Sequence, residues 1–477
     1  MIRNVLFTCS ILLAFFQFES TYAAAPSKPN IIIIFTDDQG YADVGVYGAV
    51  NIKTPNLDRM AAEGIRFTDF YVAANVCTPS RAALMTGCYP QRISMARMPR
   101  GNKGNRGFVL FPDSHGGIHA DEITIPEMLK EQGYATHMVG KWHLGHLPPF
   151  LPTRHGFDSY YGILYSNDMK PCPIFRNEEI VEKKADQTTL TERYTAEALK
   201  IIRENKDQPF FLYLAHNMPH IPLFVSEKFS GKSAGGLYGD VIETIDHGIG
   251  EILDTLDELG LTENTLVVFS SDNGPWLVFG DHAGFAAPLR AGKGTTYEGG
   301  HRVPGIMRWP GTIPAGQVTS EVTTTMDLLP TIAEITGARV PDDRIIDGKS
   351  ILPILKGEPG ATSPHEAFYY YHGNDLHAVR SGDYKLRVEL SMRYEDIYRR
   401  FPNPDAIVPE ALYHLPTDPG EQRNLLPNDR KRYKQMPEAR RDAYDRLTDL
   451  LEAARQDLGD GKTNTLGKNV RPMGTTR

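Results

Sequence analysis

The sequence predicts an α/β protein: a large, mostly parallel sheet flanked by helices, followed by a smaller C-terminal antiparallel sheet with a packed helix. Three observations carry this. From Asn30 to about Ile354 short apolar runs alternate with helical patterns; after Gly357-Glu358-Pro359-Gly360 the pattern changes to short alternating strands; and the chain has 477 residues, whereas single cores stop growing at about 250–300. With 41% hydrophobic and 23% charged residues the composition is globular, which excludes disorder, collagen and coiled coil. Lys plus Arg number 51 against 59 Asp plus Glu, a net charge of −8, which argues against a binder of nucleic acid that works by neutralising phosphates.

The N-terminus reads as an export signal over residues 1–25. Arg3 supplies the positive end, residues 5–16 are nearly all apolar, and Thr21-Tyr22-Ala23-Ala24-Ala25 offers small residues for cleavage. The apolar run is too short to span a bilayer, and no later segment approaches ~20 apolar residues, so the expectation is an exported chain, periplasmic or secreted, with no transmembrane segment after maturation. Of Cys9, Cys77, Cys88 and Cys172 the first leaves with the signal. The remaining odd number leaves at least one thiol unpaired or chemically altered, and no spacing decides whether Cys88 and Cys172 pair.

Strands are expected over residues 31–35, 134–139, 210–215 and 266–270, the first an unbroken β-branched run. Between them, Thr124 is a helix N-cap with Pro126 in the first turn, and Gly133 is the stop. Val241, Ile242, Ile245, Ile249, Ile252, Leu253, Leu256 and Leu259 fall at three-and-four spacing, predicting a helix over 238–259 that Gly260 ends. Residues 368–371, 376–379 and 384–388 read as antiparallel strands with a turn at 381–383. A terminal helix over about 433–458 follows, and the polar stretch 459–477 is expected to fray. The long loop 97–121 carries Arg97, Arg100, Lys103 and Arg106 before its first acid, Asp113; an active-site rim and a solvated insert fit it equally.

Asp37 and Asp38 follow the first strand at its carboxyl end, where open parallel sheets place their ligand sites. Asp272 and Asn273 occupy the same place after residues 266–271. Either pair alone reads as a turn or cap; together they offer oxygen ligands for a hard divalent cation, Ca²⁺ or Mg²⁺. Cys77 opens a short helix that carries Pro79 in its first turn and stops at Gly87. A helix N-terminus favours negative charge, so the position would activate a nucleophile and hold an oxyanion, although a lone cysteine there is somewhat more often an inert small residue than a nucleophile.

The run Cys77-Thr78-Pro79-Ser80-Arg81, extended by Ala82-Ala83-Leu84-Met85-Thr86-Gly87, resembles the signature of the type I sulfatases, in which that cysteine is converted to formylglycine. Further motifs in the same order are similar to the family's: residues 30–40 with the Asp37-Asp38 pair, Gly140-Lys141-Trp142-His143-Leu144-Gly145, Ser271-Asp272-Asn273-Gly274, the loop from Gly292 to Gly300, and Leu412-Tyr413 through Asp418-Pro419-Gly420-Glu421 to Asn424-Leu425. Residues 141–162 and 369–385 look most like the arylsulfatase A and N-acetylgalactosamine-6-sulfatase branch. The resemblance implies an alkaline-phosphatase-like fold, with a catalytic domain over 26–355 and a C-terminal subdomain over 356–477.

It also implies a metal site of Asp37, Asp38, Cys77, Asp272 and Asn273, with Ca²⁺ favoured, and catalytic roles for Cys77, Arg81, Lys141, His143, His220 and Lys293. As hydrated formylglycine, residue 77 would attack sulfur and displace the alcohol, and its second hydroxyl would then expel sulfate and restore the aldehyde. Arg81 would hold residue 77, Lys141 and Lys293 would clamp the sulfate, and His143 would take a proton during release. His220 would protonate the leaving oxygen, with His216 the competing choice. Lys141 and His143 would share a face if the strand persists through them. Tyr165, Asn167, Asp168 and residues 369–377 would line the pocket.

The function this implies is hydrolysis of sulfate monoesters, either aryl sulfates or sulfated sugars, with a sulfated small molecule or glycan and a formylglycine-generating or anaerobic maturation enzyme as partners. A phosphomonoesterase or phosphodiesterase of the same architecture is the nearest rival, but the sequence offers no second set of metal ligands. An inactive glycan-binding homologue has no use for a nucleophile and a proton donor.

Overall fold

The computed structural model describes residues 28–100, 105–395, 398, 400–427 and 430–476. The export signal, Cys9 and Lys103 lie outside the described residues. The large sheet runs, from one edge, through Gln317–Thr319, Ile65–Tyr71, Arg302–Arg308, Thr265–Ser271, Asn30–Thr36, Phe210–Ala215, Ala135–Lys141, Ser159–Ile163, Ile174–Arg176 and Glu179–Glu182. Asn30–Thr36 sits in the middle because all seven of its residues are buried, which suits a strand covered on both faces. It pairs in parallel with Phe210–Ala215 and with Thr265–Ser271. Ala135–Lys141 and Ser159–Ile163 continue the parallel set, and Arg302–Arg308 runs antiparallel to its neighbours.

The alternation of the central strand divides the interior. Ile31, Ile33 and Phe35 pack with Ala82, Leu84 and Met85 of helix Cys77–Thr86 and with Leu328 and Ile332 of helix Leu328–Thr336. Ile32 and Ile34 point the other way, against Val241, Ile245, Ile249 and Ile252 of helix Gly236–Glu258. The four expected strands form within one or two residues of their predicted bounds, as does the long helix, with Gly260 at φ +66° beyond its end. Thr124 caps helix Ile125–Lys130 through a reciprocal pair with Glu127, and Gly133 follows at φ +80°.

A second sheet orders Phe368–His372, Asp375–Ser381, Tyr384–Arg387 and Ala411–His414, all antiparallel. Leu447, Leu451, Ala454 and Leu458 of helix Glu438–Leu458 cover it. That helix starts later than expected because Pro437 occupies its N-cap, and Arg430–Gln435 form a separate 3-10 turn. The stretch after it does not fray. Gly459–Asp460 pairs with Thr465–Leu466, Gly474–Thr475 pairs with Gly116–Gly117, and the Arg471 guanidinium lies 2.7 Å from Glu122. These partners are distant in sequence, so composition alone misread the tail.

The two sheets are joined by charge as well as by packing. Lys385 Nζ lies 3.0 Å from Glu298 and 2.8 Å from Glu421, and it donates to the Thr296 carbonyl at 2.9 Å. The C-terminal sheet thereby grips the loop that carries Lys293.

Candidate active site

At the carboxyl edge of the large sheet, Asp37, Asp38, Asp272 and Asn273 leave adjacent strands and are all buried. The sheet register sets them together: the Asp272 N–H donates to the Thr36 carbonyl at 3.1 Å, and the Asp38 N–H donates to Asp272 Oδ1 at 3.1 Å. Asp38 turns its side chain through a left-handed backbone, φ +66°. Cys77 comes in from the far side as the first residue of its helix, with Sγ 3.4 Å from Asp37 Oδ1. One ligand atom each from Asp37, Asp38, Cys77 and Asp272 lie within 4.8 Å of one another. Asn273 Nδ2 donates to Asp38 at 2.7 Å, and its Oδ1 is buried with no hydrogen-bond partner. Three carboxylates and an orphaned amide oxygen form a hard-oxygen donor set, and it fits a divalent cation of the Ca²⁺ or Mg²⁺ kind.

Cations surround this cluster. Arg81, one turn into the helix, reaches Asp272 at 2.8 Å and the Lys141 carbonyl at 3.0 Å. Lys141 Nζ lies 2.5 Å from Asp37, and Lys293 Nζ lies 2.7 Å from Asp38 and 3.5 Å from Cys77 Sγ. His220 Nε2 stands 3.7 Å from Asp38 Oδ2 while its Nδ1 faces the Ile221 carbonyl at 2.6 Å. His216 is buried elsewhere, 6.3 Å from Tyr194 between ring centroids, with its Nδ1 unpartnered. The strand does not persist through His143. It ends at Lys141, and His143 adopts φ +62°, so the expected shared face is replaced by a turn. His143 Nε2 meets the Leu110 carbonyl at 2.9 Å, and its Nδ1 is buried and unpartnered. Leu110 belongs to the 97–121 loop, which is thus part of the site wall.

Burial and these charges set the protonation. Burial raises the Asp37 carboxyl, but Lys141, His220 and Arg81 outweigh it and hold the group well below its usual value. Burial and the nearby Asp37 charge push Asp272 up to about 7. Burial lowers Lys293, and the Asp38 carboxylate more than restores it. Burial and Lys293 together lower the His220 ring. For Cys77, burial and the carboxylates of Asp272 and Asp37 push the thiol well above its usual value. Those two carboxylates thus act on the thiol against the helix N-terminus.

Residues 29–338 match the family described as Sulfatase, and residues 291–449 match the N-sulphoglucosamine sulphohydrolase C-terminal family. The chain belongs to the sulfatase family. It is 42% identical to the dog N-acetylgalactosamine-6-sulfatase over 382 residues, 76% of this chain and 72% of the relative. It is 40% identical to bovine arylsulfatase A, covering 84% of each. Among solved structures it is similar to the PsFucS1 sulfatase from Pseudoalteromonas sp., with a TM-score of 0.75 at 27% identity, covering 90% and 91% of the two chains. The fold is alkaline-phosphatase-like and the activity is hydrolysis of sulfuric esters, in the branch read from the sequence.

Two residues of this sulfatase's site escaped the sequence reading. Ser166 Oγ lies 3.2 Å from Lys141 Nζ and 3.3 Å from His220 Nε2, bridging a cation and an imidazole. Trp276 lies with its ring centroid 4.3 Å from Lys293 Nζ and 5.3 Å from the His220 ring. Serine and tryptophan on irregular segments carry no periodic signal, and Ser166 sits between residues named only as pocket lining. Of those, Tyr165 packs on His143 at 5.8 Å, and Asn167 braces the His220 loop by donating to the Pro222 carbonyl at 3.0 Å. Asp168 takes no part in the contacts described. In the 369–377 region His372 Nδ1 meets Asn75 at 3.4 Å, two residues from Cys77. Cys88 and Cys172 are free and buried.

Proposed function

We propose that this sulfatase works through formylglycine at position 77 and a single bound Ca²⁺. The observation that carries the reading is the buried meeting of three carboxylates with Cys77 within 4.8 Å, flanked by two lysines and a histidine. Asp37, Asp38, Asp272 and Asn273 would hold the ion, whose chemistry is to neutralise charge on the sulfate oxygens. Residue 77, oxidised and hydrated, supplies the hydroxyl that attacks sulfur. Lys141 and Lys293 hold sulfate oxygens, and Arg81 fixes Asp272 and the end of the Lys141 strand. His220, held by the Ile221 carbonyl at one nitrogen, presents the other to the leaving oxygen and, as the imidazolium that Asp38 at 3.7 Å favours, delivers its proton there and returns to the neutral ring. His143, with a free Nδ1, receives the proton released as the aldehyde re-forms.

The natural substrate class is a sulfated sugar or aryl sulfate, in keeping with the names of the relatives. Export by the 1–25 segment, to periplasm or medium, brings the chain past a maturation enzyme that oxidises Cys77. Among the described residues no helix is long and apolar enough to cross a membrane. The change from large to small sheet supports a catalytic domain over 26–355 and a C-terminal subdomain over 356–477. Stripping the protein with a chelator and assaying sulfate release from 4-nitrophenyl sulfate tests the metal. Activity lost on stripping and restored by Ca²⁺ is expected; full activity after exhaustive stripping contradicts it.

A further inference from the structure

A cleft of about 810 Å³ opens beside the catalytic cluster, and Lys293 belongs to both. Its floor is Trp276, and its walls include Val278, Arg290, Tyr297, Met392 and Glu395. The Trp276 indole is half-buried, its N–H has no partner, and Phe279 and Tyr398 rings lie 4.8 Å from it. Leu277, Val278 and Phe279 are 44%, 46% and 41% exposed, an apolar lip at the mouth.

The charges in this cleft are already spent on one another. Arg290 lies 3.9 Å over the Tyr297 ring, donates to the Glu421 carbonyl at 3.0 Å and reaches Glu395 at 3.4 Å. Glu395 also accepts from the Tyr297 hydroxyl at 2.5 Å and pairs with Arg387. Lys293 is held by Asp38. Each cation among the described lining residues already has an anionic partner, Asp38 for Lys293 and Glu395 for Arg290, whereas an aromatic floor and an apolar lip remain to meet a ring.

We propose that this cleft receives the alcohol portion of the ester and that Trp276 makes it selective for a neutral, ring-bearing alcohol carrying one sulfate. The inference rests on the sulfatase reading of Lys293 and His220. An aromatic ring and the C–H face of a sugar ring share the chemistry that an indole recognises. A carboxylate or second sulfate on that ring would be desolvated here without a partner, which is costly.

The test uses aldehyde-bearing protein and two esters that share a ring, 4-carbamoylphenyl sulfate and 4-carboxyphenyl sulfate. A parallel pair, N-acetylgalactosamine 6-sulfate and the same sugar linked to a uronic acid, distinguishes a sugar from an aryl occupant. KM is expected to be at least about 10-fold lower for the neutral member of the better pair, the scale of one buried unpaired polar group. Trp276→Leu should raise the KM of that neutral ester more than it lowers kcat, and Trp276→Phe should restore most of the loss. Val278→Lys, an exposed change outside the catalytic cluster, should improve the anionic member selectively. Equal KM values within both pairs, an unchanged KM in Trp276→Leu, or no selective gain in Val278→Lys overturns the proposal. No sulfate release from any of the four esters by protein shown to carry the aldehyde overturns the proposed function itself, and this inference with it.

Discussion

Ser166 touches both Lys141 and His220, so it fixes the spacing between the group proposed to hold sulfate and the group proposed to protonate the alcohol. Ser166→Ala should lower kcat about 10-fold or more, with the fold intact, because proton transfer depends on placement; an unchanged kcat removes it from the site. Cys77→Ala should abolish turnover, a fall of at least about 1000-fold, since no other group there becomes the nucleophile. Its melting temperature should stay near that of the parent, because the side chain is small and its polar contacts, to Asp37 at 3.4 Å and Lys293 at 3.5 Å, are weak sulfur hydrogen bonds. At this scale the sequence was legible wherever a residue sits in a rigid local motif: Asp37-Asp38 after a strand, Cys77 opening a helix, Lys293 among glycines. It was less legible where a loop chooses the direction. The left-handed turn at His143, the bridging Ser166 and the indole of Trp276 are set by contacts across the fold, and the thiol's protonation is set by carboxylates distant in sequence.

At the scale of elements, the β-branched strand Asn30–Thr36 and the amphipathic helix Gly236–Glu258 follow from local pattern, since each buries a periodic apolar set. The fourth strand of the small sheet, Ala411–His414, has only four residues and is defined by its partner Tyr384–Arg387, so no pattern announces it. The tail failed as an expectation for the same reason: Arg471, Gly474 and Thr475 are ordered by Glu122 and Gly116–Gly117. The coupling between sheets gives a sharper test. Lys385 is buried between Glu298 and Glu421, and its charge together with Arg302 and Arg380 holds Glu298, despite burial, down to about 2. Lys385→Met leaves two carboxylates without that cation and should cost about 3–5 kcal/mol in denaturant unfolding. A loss below about 1 kcal/mol, the scale of an exposed pair, contradicts the assignment.

For the whole molecule, buried neutral histidines govern the response to acid. Burial lowers His155 to about 4, with the Pro149 carbonyl opposing the fall and His119 adding to it. It lowers His301 to about 4 as well, where Val72, Lys385 and Glu298 are the facing groups. Their folded values lie below the ordinary 6.5, so the stability they contribute is present above that pH and is lost as pH falls toward and through about 4. Each is worth roughly 3 kcal/mol at neutral pH by the usual conversion. Thermal unfolding followed from pH 7 to pH 4 should show a steep fall in melting temperature; a flat profile contradicts the buried, neutral assignment. The overall architecture was legible because the alternation of strand and helix over residues 30–354 admits few arrangements, while the charge pairing between the two sheets had no sequence signal.

Residue 77 is proposed to be an aldehyde in working enzyme. Peptide mass spectrometry of the protein from its native host, paired with sulfate release by the same sample, tests it most directly. A formylglycine peptide at position 77 is expected, with release in proportion to its fraction. Full sulfate release by material in which Cys77 is entirely a thiol would contradict it.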